Sequence, residues 1–229
     1  MIKRTRRRPR GSASAAPDRT RALILDAAEQ LFAVRGIEAV SVRSILAAAG
    51  VNVALAHYHF GSREGLIEEL LRSRVAPLVD EVRRDLDAVD GRSDATLEDV
   101  LRAYFAAFAR WLDTEPRLGR ILGQLQASPS PTIRALGREE LRGVITRLGE
   151  AVLRRLPAPV DRKQFFLRFY LVVGGPSILA SMWDHVRHSA RRHLGPDTVL
   201  EPGWIADELV AFAAAGLRAP GLARREEAP

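Results

Sequence analysis

The chain has 229 residues, 47% of them hydrophobic and 28% charged, with a formal net charge of +7 at pH 7. That length allows a small domain plus a medium one, and that composition supports a packed core. Cysteine is absent, which excludes disulfides, thiolate zinc sites and cysteine catalysis and fits a cytoplasmic protein.

The charge is concentrated at the start. Residues 1–65 carry 11 Lys/Arg against 5 Asp/Glu, whereas residues 66–229 carry 24 against 23. A local positive excess attracts a polyanion, so nucleic acid is the natural partner of that end, with a solubilising tail as the alternative. Met1-Ile2-Lys3-Arg4 has no apolar run behind it and does not read as a signal peptide. No stretch approaches the roughly 18 uninterrupted apolar residues of a membrane span, so no membrane partner is expected.

Residues 1–17, from the basic run Lys3–Arg10 to Pro17, lack apolar periodicity and read as a disordered basic arm. Asp18 is a candidate cap for a first helix, along which Ile24, Ala27, Ala28, Leu31 and Phe32 recur at helical spacing until Gly36. Ser41 caps a second, short helix whose Val42, Ile45 and Ala49 face the first, and Gly50 turns the chain. Asn52 then caps a third short helix to about Phe60. Gly61 and Ser62 break it and cap a fourth, which runs to about Val89 with Pro77 kinking its interior. Beyond a loop at Asp90–Ala95, helices are expected over about Leu97–Leu112, Arg117–Gln126, Thr132–Leu156, Asp161–His193 and Pro202–Leu217. Gly174-Gly175-Pro176 should bend or divide the segment at Asp161–His193. No segment alternates with period two, so the fold class is all-α.

Three short helices with a glycine turn between the second and third describe a helix-turn-helix, in which the first two hold the third for a major groove. Ala56 and Phe60 suit the packed face of that third helix, leaving Val53, Ala54, Leu55, His57 and Tyr58 for DNA. Residues 20–66 resemble the DNA-binding domain of the TetR (tetracycline-repressor) family. The likeness rests on Arg21, Ile24, Ala27, Ala28, Phe32, Gly36, Ser41, Val42, Ile45, Ala49-Gly50-Val51-Asn52, Phe60, Ser62, Arg63, Glu64 and Leu66. Leu46 and His57 depart from the family's usual residues.

The resemblance implies an N-terminal helix-turn-helix DNA-binding domain over residues 18–65 and a helical-bundle domain for effector binding and dimerisation over 66–229. It implies that Ser41, Tyr58, His59 and Arg63 lie near phosphates of double-stranded operator DNA, with Val42 beside them. Base discrimination falls to Arg43, Asn52, Val53, Ala54, Leu55 and His57, where apolar side chains can only pack on thymine methyls or sense shape. For Asn52 the alternative is capping alone, and for Leu55 an inward-facing core position. The arm at Lys3–Arg10 is expected to reach DNA or to be a solvated tail.

In the second domain, Phe105, Phe108, Trp111, Leu122, Phe166, Phe169, Tyr170 and Trp183 are candidates for an effector cavity or for ordinary core. The resemblance implies that the last two helical segments form a homodimer, with Val172, Ile178, Leu179, Trp204, Ile205, Leu209, Phe212 and Ala213 as candidates for the interface; a dimer lets two reading heads span two half-sites. His185, His188 and His193, with Asp184, have metal-like spacing but no completing motif, so they read as surface residues and no cofactor or metal is expected. The resulting expectation is a repressor that occludes a promoter and is released by a small hydrophobic or aromatic effector acting through the kinked fourth helix. An all-α enzyme is a rival, although no catalytic motif supports it. A protein that coats DNA without selecting sequence is the other.

Overall fold

The computed structural model describes residues 15–52, 60–157 and 159–220, and every regular element among them is helical. The chain divides into two compact units, Met1–Leu70 and Leu71–Pro229. The division falls five residues beyond the boundary expected after residue 65, because Leu66, Ile67 and Leu70 are buried in the first unit.

In the first unit, α1 spans Ala15–Arg35, α2 Val42–Ala49 and α3 Arg63–Leu70. Residues 15–17, expected in the disordered arm, form the start of α1; Asp18 is not its cap but lies in the first turn, where a negative charge favours the helix dipole. Ile24, Ala28 and Phe32 recur on one face of α1 and are all 0% exposed. Against them pack α2, through buried Ile45 and Leu46, and α3. Burial of side chains this size contributes roughly 1.5–3 kcal/mol each. An ion pair from Arg21 to Glu69 adds a second tie between α1 and α3.

The second unit opens with a π turn, Leu71–Val75, followed by α4 at Ala76–Asp90. This is the structure's form of the kink expected from Pro77. A proline has no N–H for an i→i−4 bond and its ring crowds the carbonyl four residues back, so the preceding turn widens and Pro77 sits in the first turn of the next helix. The remaining helices are α5 (Leu97–Thr114), α6 (Pro116–Ala127), α7 (Pro131–Leu153), α8 (Arg162–Ser181), α9 (Trp183–Leu194) and α10 (Pro202–Arg218).

The sequence makes α5 the centre of this unit. Val100, Leu101, Phe105, Phe108 and Leu112 are buried together with Ala103, Ala107 and Ala109, so the helix is apolar on most of its circumference and must be surrounded. It packs on α4, α6, α7 and α10. Its start is fixed by a capping box: Thr96 Oγ1 accepts from Asp99 N at 3.1 Å, and Asp99 Oδ2 accepts from Thr96 N at 3.0 Å.

Ion pairs close the ends of α4 and α7. Asp90 receives Arg154 at 2.5 Å and Arg155 at 2.8 Å, and Arg155 also donates to the Ala95 carbonyl at 3.0 Å. Hydrogen bonds from Arg154 and then Arg155 hold the Asp90 carboxyl down to about 2, against desolvation that opposes them. Because the folded value lies below the ordinary one, this stabilisation is present above pH 4 and is lost as pH falls toward 2. Asp90→Asn is therefore expected to lower unfolding free energy by about 1–2 kcal/mol at pH 7. Urea titrations should show the gap between variant and parent closing below about pH 4; a pH-independent gap would exclude the charge as its cause.

One expected break is displaced. The Gly174-Gly175-Pro176 segment neither divides nor ends its helix: α8 continues through it with Pro176 inside and buried. The division comes at Met182, where α8 and α9 meet at a 79° bend. A proline loses only one hydrogen bond in a helix that tertiary contacts hold, and here the residues around it pack against α6.

Candidate functional site

The first unit builds a helix-turn-helix frame from local chemistry. Ser41 is extended (φ −92°, ψ 153°), and its hydroxyl accepts from Ser44 N at 3.1 Å, capping α2. At the other end Gly50 is left-handed, with φ 66°, and a Schellman turn closes the helix. In it Val51 N donates to the Leu46 carbonyl at 3.0 Å and Gly50 N to Ala47 at 3.2 Å. That turn delivers an exposed Asn52 to the start of the segment expected to read DNA.

Val53, Ala54, Leu55, Ala56, His57, Tyr58 and His59, together with the basic arm at Lys3–Arg10, lie outside the described residues. Phe60 is half-buried and helical, Gly61 is left-handed at φ 67°, and Ser62 Oγ accepts from Gly65 N at 3.0 Å to cap α3. Gly65 was not singled out in the sequence. A methyl group there would overlap the Phe60 carbonyl oxygen, so the exit from the segment admits only glycine. Of the expected DNA contacts, Ser41 and Arg43 are exposed and Val42 is half-buried. Arg63 is turned toward the α1–α2 loop: its guanidinium donates to the Ile37 carbonyl and lies 3.7 Å from Glu38. It braces the frame.

The second unit contains a partly enclosed cavity of about 60 Å³. Tyr104, Phe108 and Trp111, a single stripe of α5, form one wall. The others are Val79 and Val82 of α4, Gly119 and Leu122 of α6, Leu141, Val144 and Ile145 of α7, and Pro176, Ser177 and Ala180 of α8. Among the eight residues expected at an effector site, Phe108, Trp111 and Leu122 line this cavity. Phe105 is 1% exposed and belongs to the core. Phe169 is buried near Gly149, and Trp183 is buried in a cluster with Phe108, Leu112 and Ile205. Phe166 and Tyr170 are more than half exposed and stand away from the cavity. The aliphatic walls from α4 and α7 were missed because valine and leucine at helical spacing read equally well as core.

Those exposed aromatics belong to another feature. On α8, Phe166, Leu167, Tyr170, Leu171 and Ile178 are 60–67% exposed, and on α10 Trp204 is 53% and Phe212 80% exposed. The two helices pack against each other, so this is an apolar face of some size. Among the residues expected at a dimer interface, Ile178, Trp204 and Phe212 lie on it and Leu179 and Leu209 are half-buried. Val172, Ile205 and Ala213 are instead buried in the chain's own core. The segment from Phe165 to Val173 is apolar except at Arg168, and so many large side chains cannot all face one core.

No cluster of three metal-ligating side chains occurs among the described residues. Asp184, just before the histidines, is instead ion-paired with Arg120 and with Arg187 at 2.7 Å, and its carboxyl is held below the usual range mainly by Arg187. No single helix among the described residues is long and apolar enough to cross a membrane.

The first unit thus holds a capped helix-turn-helix frame, and the second, among the described residues, is built of helices that line an apolar cavity. Residues 24–70 match the family described as bacterial regulatory proteins, tetR family, and residues 102–216 match the tetracyclin repressor-like C-terminal domain. The chain belongs to the tetR family. HTH-type transcriptional repressor KstR2 of Rhodococcus jostii is 37% identical over 84 residues, which cover 37% of this chain and 41% of that protein. HTH-type transcriptional regulator BetI of Brucella anthropi is 39% identical over 84 residues, with the same two coverages. The chain thus aligns with less than half the length of these curated relatives. Among solved structures, the fatty acid degradation regulator FadR of Bacillus halodurans superposes with a TM-score of 0.65 at 20% identity, covering 93% of this chain and 100% of that one. FadR of Bacillus subtilis, solved in complex with stearoyl-CoA, gives 0.66 at 15% identity, covering 85% and 98%. These likenesses establish a shared fold.

Proposed function

We propose that the protein is a dimeric, DNA-binding transcription regulator of the cytoplasm, acting as a repressor that leaves its operator when a small hydrophobic or aromatic effector fills the cavity of the second unit. The observation that carries the reading is the family match over residues 24–70, which falls on the frame that Ser41 and Gly50 build around the Asn52–Phe60 segment. The repressor named among the relatives supports repression, and the fold shared with a regulator solved with an acyl-CoA supports effector control.

In this reading Ser41 and the arm hold phosphates, Arg43 reads a base edge, and Arg63 fixes the loop from which α2 starts. Val42, Asn52, Val53, Ala54, Leu55, His57, Tyr58 and His59 complete the contact surface. A ligand shifts such a balance only through its differential affinity for the two states.

Selection of bound duplexes from random DNA, followed by gel shift in rising salt, tests this. A regulator retains one near-palindromic sequence, a coating protein retains all, and an enzyme retains none. Arg43→Ala is expected to cost about 1–3 kcal/mol on the selected sequence and little on random DNA. An equal loss on both would move Arg43 to the phosphates.

A further inference from the structure

None of the residues lining the cavity is Lys, Arg, His, Asp or Glu, so an ion entering it would give up its hydration for nothing in return. Three side chains there carry polar atoms: Tyr104, Trp111 and Ser177. They are not equivalent. The Trp111 indole nitrogen is unpaired but sealed inside the protein, so this residue offers the cavity only ring surface. The Ser177 hydroxyl accepts from Gln126 Nε2 at 2.9 Å, and Gln126 is exposed, so this group is paired at an edge that water reaches. The Tyr104 hydroxyl has no hydrogen-bond partner among the described residues. Its ring is fixed by an edge contact with Phe105, centroids 5.3 Å apart at 64°. Burial pushes the phenol far above its ordinary value, so Tyr104 stays neutral and keeps its O–H as a donor away from bulk water. A donor so placed is costly to leave unpaired, and an occupant of the cavity can pair it.

We infer that Tyr104 is the specificity-determining residue of this cavity, its hydroxyl donating to the oxygen of a small, uncharged carbonyl compound, and that carboxylates are kept out. The inference rests on the reading of the cavity as the effector site. Val79, Leu122, Val144 and Ile145 attract any hydrocarbon that fits, and a volume of about 60 Å³ limits the fit to small molecules. Tyr104 decides among those, because a site holding a buried donor disfavours the analogue that has no acceptor for it. A carbonyl brings only lone pairs, whereas an alcohol would carry a proton of its own into apolar walls. Ser177 stands where water can satisfy it, so it distinguishes less.

Three probes of similar size separate these terms: cyclohexanone, neutral with an acceptor; methylcyclohexane, neutral without one; and cyclopentanecarboxylate, anionic. Each is titrated into the full-length protein carrying ¹³C-labelled methyl groups, with Val79 and Ile145 reporting occupancy. Tyr104→Phe is expected to weaken cyclohexanone about fivefold and to leave methylcyclohexane within about twofold. The carbonyl stretch of bound cyclohexanone should lie at lower wavenumber in the parent than in Tyr104→Phe, because a donated hydrogen bond weakens the C=O bond. Ser177→Ala keeps both properties. Cyclopentanecarboxylate moves neither methyl signal.

Equal losses for both neutral probes in Tyr104→Phe, a stretch that this substitution leaves unmoved, a loss in Ser177→Ala instead, or carboxylate binding as tight as the ketone's overturns the assignment while leaving the effector cavity standing. If neither neutral probe moves the methyl signals, the effector cavity itself is refuted and the assignment goes with it. Should Tyr104→Phe lose its fold, the parent and Ser177→Ala still decide. A stretch no lower than that of cyclohexanone in hexane, or a lowering that Ser177→Ala abolishes, refutes the Tyr104 hydrogen bond.

Discussion

Phe212→Glu combined with Ile178→Glu is expected to leave the chain folded and to abolish the proposed self-association. Both side chains are well exposed, at 80% and 64%, so a charge at either place stays hydrated in the isolated protomer and costs its fold within about 0.5 kcal/mol. In a two-fold interface each substitution occurs twice, and a buried charge without a partner costs several kcal/mol. The dissociation constant for self-association should rise at least about a hundredfold, read by sedimentation at micromolar protein. Affinity for the selected operator should fall with it, because a single head meets a single half-site. Unchanged sedimentation would show that the α8–α10 face is not where copies meet.

A second large effect concerns glycines with no turn to make. A methyl group built on Gly119 would lie 2.9 Å from Cβ of Ala180, and one on Gly123 would lie 2.8 Å from Cβ of Ser181. Helices α6 and α8 therefore touch almost backbone to backbone. Replacing glycine by alanine in a helix normally gains up to about 1 kcal/mol, but overpacking a tight contact costs about 1–3 kcal/mol. Gly119→Ala and Gly123→Ala together are expected to lower the melting temperature by several degrees, at about 2–4 °C per kcal/mol for a chain of this size. Gly143→Ala is the control: that glycine is helical and has nothing within 4 Å of the added methyl, so the same change should raise the melting temperature. Equal behaviour at the three positions would mean that the α6–α8 contact carries no packing constraint.

The helical framework was legible in the sequence where capping chemistry and periodicity agree. Ser41, Gly50 and Ser62 mark their turns because a hydroxyl acceptor or a left-handed backbone is needed there, whatever the rest of the molecule does. Boundaries set by tertiary contact were not legible. The break at Met182 rather than Gly174-Gly175-Pro176 depends on what packs around Pro176, and Leu66 joins the first unit through partners distant in the chain. The same limit applies to the cavity. Phe108 and Phe105 look alike in sequence, yet one lines open space and the other is sealed, a difference made by which neighbours lie across α5. The orphaned indole N–H of Trp111 has no signature at all in sequence, since pairing is a property of surroundings.

Helix α8 is shared property. Pro176, Ser177 and Ala180 form cavity wall, while Ile178, between them in sequence, points out with Tyr170 and Leu171. At Pro176 the ladder lacks one rung, so this is where the helix bends at least cost. Filling one side and covering the other therefore draw on the same few residues of backbone, and thermodynamic reciprocity follows. If occupancy of the cavity alters how firmly two copies hold together, dilution must alter how firmly the cavity holds its occupant, by an equal factor.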